Sequence, residues 1–300
     1  MAHVSVCIPA HNYGRFLGDA IGSVLAQTYR DFELVVFDNG SSDDTPRLLR
    51  EYQQRDPAIR CVRSDAPLPI AASFNRALAL GTGELVKILC ADDWLAPRAL
   101  EESVAALARH PGAALAATGR LLVGESGSAV GVERYAPTPR LVEGASAIGR
   151  CLFGTNYVGE PSAVLFRRRL AGSGFDPRYP HLLDMELWFR LLEQGALACI
   201  PDPLAMIRRH GAQATRRNAR AGDIVADKTR LYAAYAGKPY VARTPARELA
   251  WRLRTAYTHW RGAGATSPVH PALFYPLLPA LLVLDGAREV ARRWRARRHR

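Results

Sequence analysis

The chain has 300 residues, 48% hydrophobic and 23% charged, a globular balance that excludes a disordered chain, a collagen-like repeat and a small disulfide scaffold. No apolar run reaches the ~18 residues of a membrane-spanning helix. The formal net charge of +12 is uneven: residues 201–300 hold 20 Lys and Arg against 6 Asp and Glu, while residues 1–200 hold 20 against 22.

Strand and helix patterns alternate through the first half. Buried-strand runs fall at 4–9, 32–37, 59–62 and 84–90, and helical spacing at 16–25, 45–55, 71–80 and 97–109. Thr45 followed by Pro46 reads as an N-cap with proline in the first turn. Alternation of this kind predicts an α/β chain, with a mixed, mainly parallel sheet between helices. Residues 113–133 read as short strands with glycine-rich turns, 162–166 as a strand and 184–194 as an amphipathic helix. Two further helices are predicted at 221–236 and 245–260, then an apolar block at 272–284 and a basic, Trp-bearing tail at 286–300. Five scattered cysteines, Cys7, Cys61, Cys90, Cys151 and Cys199, give no disulfide or zinc spacing and read as buried thiols in a reducing compartment. The first residues lack a basic n-region before a long apolar stretch, so no signal peptide is expected.

Ligands of open α/β sheets bind outside the carboxyl ends of the strands. Three polar turns fall there: Pro9-Ala10-His11-Asn12, Asp38 to Asp43, and Asp92-Asp93. Turn chemistry alone accounts for the second. It accounts poorly for Asp92-Asp93, because adjacent carboxylates repel and a divalent cation with oxygen ligands relieves that repulsion. Neither a G-x-x-x-x-G-K-[ST] nor a G-x-G-x-x-G pattern follows a strand, which argues against a P-loop nucleotidase and a dinucleotide dehydrogenase.

Five blocks resemble family-2 glycosyltransferases of GT-A fold: VSVCIPAHNY at 4–13, FELVVFDNGSSDDT at 32–45, LCADDWL at 89–95, LDMELWFRL at 183–191 and IRRH at 207–210. The resemblance implies a catalytic domain over 1–220 and a helical extension over 221–300. It implies inverting transfer of a sugar from a nucleoside-diphosphate-sugar to an acceptor hydroxyl. Pro9, Ala10, Asn12, Asp38 and Asn75 would then serve the nucleotide, Asp92 the ribose and diphosphate, Asp93 a Mg²⁺ or Mn²⁺ ion, Asp184 as general base and His210 the metal or diphosphate. Glu186 is the reserve base, and Trp188 reads as core. Two positions depart from the pattern: Cys90 stands where many relatives carry Asp, and Phe74 where many carry Arg.

The acceptor expected from the resemblance is a saccharide or lipid-linked saccharide of a cell-surface polysaccharide or glycolipid. The apolar block and basic tail suit a peripheral address on an anionic membrane surface, on the cytoplasmic face. Two other readings stand beside this one. A nucleic-acid binder would use the basic C-terminus, but no recognisable reading motif supports it and no nucleic acid is expected. A catalytically silent relative acting as a partner subunit would fail to bind Mn²⁺ and nucleoside diphosphate.

Overall fold

The computed structural model describes residues 3–211, 213 and 223–263. The apolar block at 272–284 and the basic tail at 286–300 lie outside them. A ten-stranded sheet runs in the order β3 (Ile59–Arg63), β2 (Phe32–Asp38), β1 (Val4–Ala10), β4 (Leu85–Ile88), β9 (Val164–Arg167), β6 (Ala113–Gly124), β10 (Ala196–Arg209) and β5 (Trp94–Leu95), with β7 (Ala129–Glu133) on β6 and β8 (Arg140–Val142) on β10. Its first part is parallel: β1 (Val4–Ala10) lies between β2 (Phe32–Asp38) and β4 (Leu85–Ile88), with β3 (Ile59–Arg63) outermost. Every residue of β1 is buried, as a central strand covered on both faces requires. Helices α1 (Gly14–Leu25), α2 (Thr45–Arg55) and α3 (Ile70–Leu80) connect these strands. Asp44, not Thr45, takes the cap position of α2. Asp43 accepts from the Thr45 backbone N–H at 3.0 Å, which moves the capping side chain two residues upstream of the expected Thr45.

Beyond β4 the sheet changes direction. After β5 (Trp94–Leu95), α4 (Ala99–Arg109) leads to β6 (Ala113–Gly124) and β7 (Ala129–Glu133). The stretch expected to break into short strands therefore opens with a single twelve-residue strand, because β6 has partners along both edges. β8 (Arg140–Val142) and α5 (Gly144–Leu152) follow. The strand expected at 162–166 begins as a 3-10 turn at Pro161–Ala163 and becomes β9 (Val164–Arg167), antiparallel to both β4 and β6. Helix α6 (Leu183–Leu192) leads into β10 (Ala196–Arg209), which runs parallel to β6. Its register shifts around Pro203, where prolines cannot complete a ladder. A Cβ on the facing Gly119 would stand 2.5 Å from the Pro201 carbonyl oxygen, so the bulge needs glycine there.

Two apolar layers result. On one face Val6, Ile8 and Val36 pack with Leu17, Ile21 and Leu100 of α1 and α4. On the other Cys7, Val35 and Phe37 pack with Ala77, Ile148, Leu187 and Trp188 of α3, α5 and α6. The second layer also takes in Leu231 and Tyr235 of α7 (Asp223–Tyr235), together with Ala236 and Val241. Helix α8 (Pro245–Ala263) lies against α7, with Trp251 stacked on Tyr232 at 4.0 Å. Among the described residues no helix is long and apolar enough to cross a membrane.

Candidate active site

The strand order reverses between β1 and β4, and the cleft opens at their carboxyl ends, as doubly wound sheets require. It encloses about 330 Å³ and is bordered by Pro9 and Ala10 from β1, Cys90 to Asp93 after β4, Leu68, Ile70 and Phe74 at α3, and Glu160, Asp184 and Arg209 from later elements. Neighbouring loops are locked together by side chains. Asn12 adopts φ 58°, a left-handed backbone that asparagine tolerates. Its N–H donates to Ser41 Oγ at 2.9 Å and its Oδ1 accepts from the Ser42 N–H at 2.8 Å. Asp38 is buried, accepting from the Ser41 N–H at 2.9 Å and from Arg63 Nη1 at 3.0 Å.

Asp92 and Asp93 follow β4 with little exposure. Asp93 accepts from Ser162 Oγ at 2.6 Å and from the Arg208 N–H at 2.9 Å. Burial, then the charge of Asp92, push its carboxyl well above the usual carboxylate range. Burial and both aspartates likewise push the Cys90 thiol well up, keeping it protonated. Ligand atoms of Cys90, Asp92 and Asp93 lie within 4.8 Å of one another. Carboxylate oxygens crowded in this way, with one carboxyl destabilised by the other, fit a hard divalent cation, whereas a neutral thiol adds little to such a site.

His210 meets Asp92, not Asp93. Its Nε2 lies 3.0 Å from Asp92 Oδ2, and its ring packs on Phe16 and Tyr13. Arg208 secures the same turn, donating from Nε to the Asp92 carbonyl at 3.0 Å and from Nη2 to Asp19 at 2.6 Å.

Asp184 borders the same cleft from the first turn of α6. Its Oδ2 accepts from Asn156 Nδ2 at 2.9 Å and its Oδ1 from the Met185 N–H at 2.7 Å. Burial raises its pKa to about 7, with the charge of Glu160 adding to the shift. Glu160 behaves differently. Burial disfavours its charge, but Arg120 at 2.9 Å and Arg209 at 3.0 Å hold its carboxyl below the usual range. Glu186 points elsewhere, into an ion pair with Arg190 at 2.7 Å. Trp188 is fully buried and donates to the Gly159 carbonyl at 2.9 Å, so it is core.

Pro9, Ala10, Asp92, Asp93 and Asp184 are thus brought to one cleft. Asn12, Asp38, Asn75 and His210 are not among its bordering residues. Asn75 spends both ends of its amide on the Phe175 backbone, at 2.8 and 2.7 Å. Sequence reasoning missed Glu160, Arg209, Arg208, Arg63 and Asn156. Each works through a partner distant in the chain, and neither spacing nor periodicity reports such pairs.

The glycosyl transferase family 2 model matches residues 5–175. An uncharacterised protein of Mycobacterium tuberculosis is 31% identical over 239 residues, covering 72% of this chain and 72% of that protein. A Bacillus subtilis protein named for teichuronic acid biosynthesis, the glycosyltransferase TuaG, is 25% identical over 195 residues, covering 65% and 74%. Among solved structures, the mannosyltransferase PcManGT of Pyrobaculum calidifontis, in complex with GDP-mannose and Mn²⁺, superposes with a TM-score of 0.59. It is 19% identical and covers 94% of this chain and 80% of its own. With a match over more than half its length and a GT-A architecture around the acidic cleft, the chain belongs to glycosyl transferase family 2 and is a glycosyltransferase.

Proposed function

We propose that the protein transfers a sugar, with inversion, from a nucleoside-diphosphate-sugar to the hydroxyl of a saccharide or lipid-linked saccharide acceptor. The observation that carries this reading is that one cleft is bordered both by Asp92 and Asp93 and by the part-buried carboxyl of Asp184. A single displacement needs those functions on opposite faces of the sugar.

Asp184 accepts the acceptor's proton as its oxygen attacks. A pKa of about 7 makes it a stronger base than an ordinary carboxylate while leaving a large ionised fraction at neutral pH. Asn156 and the Met185 N–H fix its orientation. Pro9 and Ala10 form the nucleotide side of the cleft. Asn12 and Asp38 shape it indirectly, one by tying two loops together and the other by anchoring Arg63, and Asn75 does so by holding the backbone at Phe175. Asp92 and Asp93 would hold Mg²⁺ or Mn²⁺, which when bound supplies neutralisation of the charge developing on the departing diphosphate. His210 is a positioning residue that orients Asp92.

The likeness to TuaG, named for teichuronic acid biosynthesis, supports a cell-surface polysaccharide as the product class. The basic excess after residue 200 supports a peripheral address on the cytoplasmic face of the membrane.

Calorimetric titration of UDP, GDP and dTDP, with and without Mn²⁺, tests the donor half. Metal-dependent binding of one nucleotide, lost in Asp93→Ala, is expected. No binding of any nucleotide would overturn the reading. Proton NMR of the first product formed from the matching nucleotide-sugar then reads the anomer, and retention of configuration would overturn the inverting step.

A further inference from the structure

The acids after β4 and the base on α6 belong to elements far apart in the chain, yet a displacement at one carbon needs them in register. A misplacement of about 1 Å costs about 10²-fold in rate. One short segment, 156–162, is bonded to both. At one end Asn156 Nδ2 donates to Asp184 Oδ2 at 2.9 Å. At the other the fully buried Ser162 donates from Oγ to Asp93 Oδ2 at 2.6 Å and accepts from the Cys90 N–H at 3.0 Å.

The stretch between these ends is stiff. The Asn156 amide closes a turn on Gly159, donating to its carbonyl at 3.1 Å and accepting from its N–H at 2.9 Å. Together with the bond to Asp184, this engages both the amide nitrogen and the amide oxygen and fixes which way the side chain points. Gly159 adopts φ 121°, a backbone open to glycine, and a Cβ there would stand 2.6 Å from Arg120 Nη1. Its carbonyl also accepts from the Trp188 indole at 2.9 Å, so the turn is bonded to α6 through both Asp184 and Trp188. Glu160 anchors the middle, paired with Arg120 at 2.9 Å and with Arg209 at 3.0 Å. Arg120 is buried and pairs in addition with Glu133 at 3.0 Å. Arg209 lies between Arg208, whose N–H donates to Asp93, and His210, whose ring meets Asp92. Glu160 is therefore tied to β6 and to the strand end that holds the acid pair. A carboxylate shared by two guanidinium groups has one favoured position, because moving it strands a charge.

We propose that segment 156–162 is a rigid bridge that sets the base against the acid pair, with Glu160 as the positioning residue at its centre. Glu160 acts through its arginines, and Asn156 and Ser162 pass the placement on to Asp184 and Asp93. The proposal rests on those two aspartates having the roles given above, and it adds the element that registers one against the other.

Two experiments on the full chain test it. The first follows hydrolysis of the nucleotide-sugar that matches the nucleotide found by calorimetry. Water replaces the acceptor: the bond from the anomeric carbon to the diphosphate breaks, the water oxygen takes its place and Asp184 accepts the proton. Glu160→Gln is expected to lower kcat about 10–100-fold, with Mn²⁺-dependent nucleotide affinity unchanged. Asn156→Ala and Ser162→Ala should be non-additive in kcat, the double variant falling little below the worse single one, since a bridge freed at one end no longer registers the other. Additive losses, or a Glu160→Gln effect carried by nucleotide affinity, overturn the proposal. The second needs no turnover: hydrogen exchange of the Trp188 indole N–H in Ser162→Ala. The change is made at the Asp93 end and read at the Asp184 end. Exchange should quicken about tenfold or more relative to the amides of β1, which report global opening. An unchanged ratio overturns the bridge. The underlying reading fails separately: there the nucleotide does not bind, or Asp184→Asn turns over like the wild type, and neither result alters the exchange at Trp188.

Discussion

At Asp184 catalysis and stability pull in opposite directions. The folded carboxyl has a pKa of about 7 against an ordinary 3.8, so between those values the folded state binds more protons than the unfolded one. Stability from this group therefore falls as pH rises from about 4 to about 7, by at most about 4 kcal/mol. Asp184→Asn should raise the melting temperature at pH 8 and leave it nearly unchanged at pH 4, while lowering kcat by about 10²–10⁴ through loss of the base. Wild-type kcat should climb with pH through about 7. Calorimetric melts at two pH values and a pH–rate profile check both, and a flat profile would remove Asp184 from the proton transfer. His210 gives a second residue-level test. Its Nε2 bond to Asp92 can be deleted while the packing on Phe16 and Tyr13 is kept, by His210→Phe. Apparent Mn²⁺ affinity should weaken about 10–100-fold, with little change in melting temperature. A loss of stability without a metal effect would make the histidine structural. The aspartates were legible because turn acids stood out against apolar strands. The guanidinium groups that secure them were not, because Arg208 meets Asp92 across 116 positions of sequence.

Elements carry constraints that pattern reading does not weigh. β4 was legible as an apolar run, yet it holds Lys87, fully buried with Nζ lacking a hydrogen-bond partner. Burial lowers its pKa to about 7 from 10.5. The unfolded chain thus binds the extra proton between those values, so stability rises as pH increases from about 7 to about 10. Lys87→Met should raise the melting temperature most at or below pH 7, where the cost of the buried amine is largest, and progressively less towards pH 10. Thermal melts across that pH range decide it, and a destabilised variant at pH 7 would mean the amine has a partner that matters. Helix α5 shows the opposite constraint. A Cβ at Gly144 would stand 1.7 Å from the Leu192 carbonyl oxygen and 2.5 Å from that of Gly195. Gly144→Ala therefore forces α5 away from the end of α6, with an expected loss of about 2–3 kcal/mol in the same melts. Sequence periodicity missed α5, which is short and rich in small residues, and it missed β10, whose two prolines interrupt the alternation although the sheet accommodates them at a bulge.

At the scale of the molecule, the motifs stop near residue 210 but the fold does not. Leu231, Tyr235, Ala236 and Val241 complete the apolar layer that holds Trp188 and Phe189. Asp227 of α7 accepts from the His181 and Leu182 N–H groups at 2.7 and 3.0 Å, immediately before Asp184. The parallel half of the sheet was legible because each strand–helix unit is local in sequence. The antiparallel insertion of β9 and the closure by α7 were not, since both pair segments far apart in the chain. Two truncations separate the contributions of α7 and α8 to the fold. A chain ending at 222 loses several core side chains, each worth about 2–5 kcal/mol, against a total stability of about 5–15 kcal/mol. It also frees the backbone that carries Asp184, so no cooperative unfolding transition is expected. A chain ending at 242 keeps α7 and the four core residues but lacks Trp251 and Arg254. It should melt cooperatively and bind nucleotide like the full chain. Cooperative melting of the shorter chain would show that α7 decorates the fold instead of completing it. Loss of cooperative melting in the longer one would show that α8, stacked on α7 through Trp251 and Tyr232, is also needed to complete the fold.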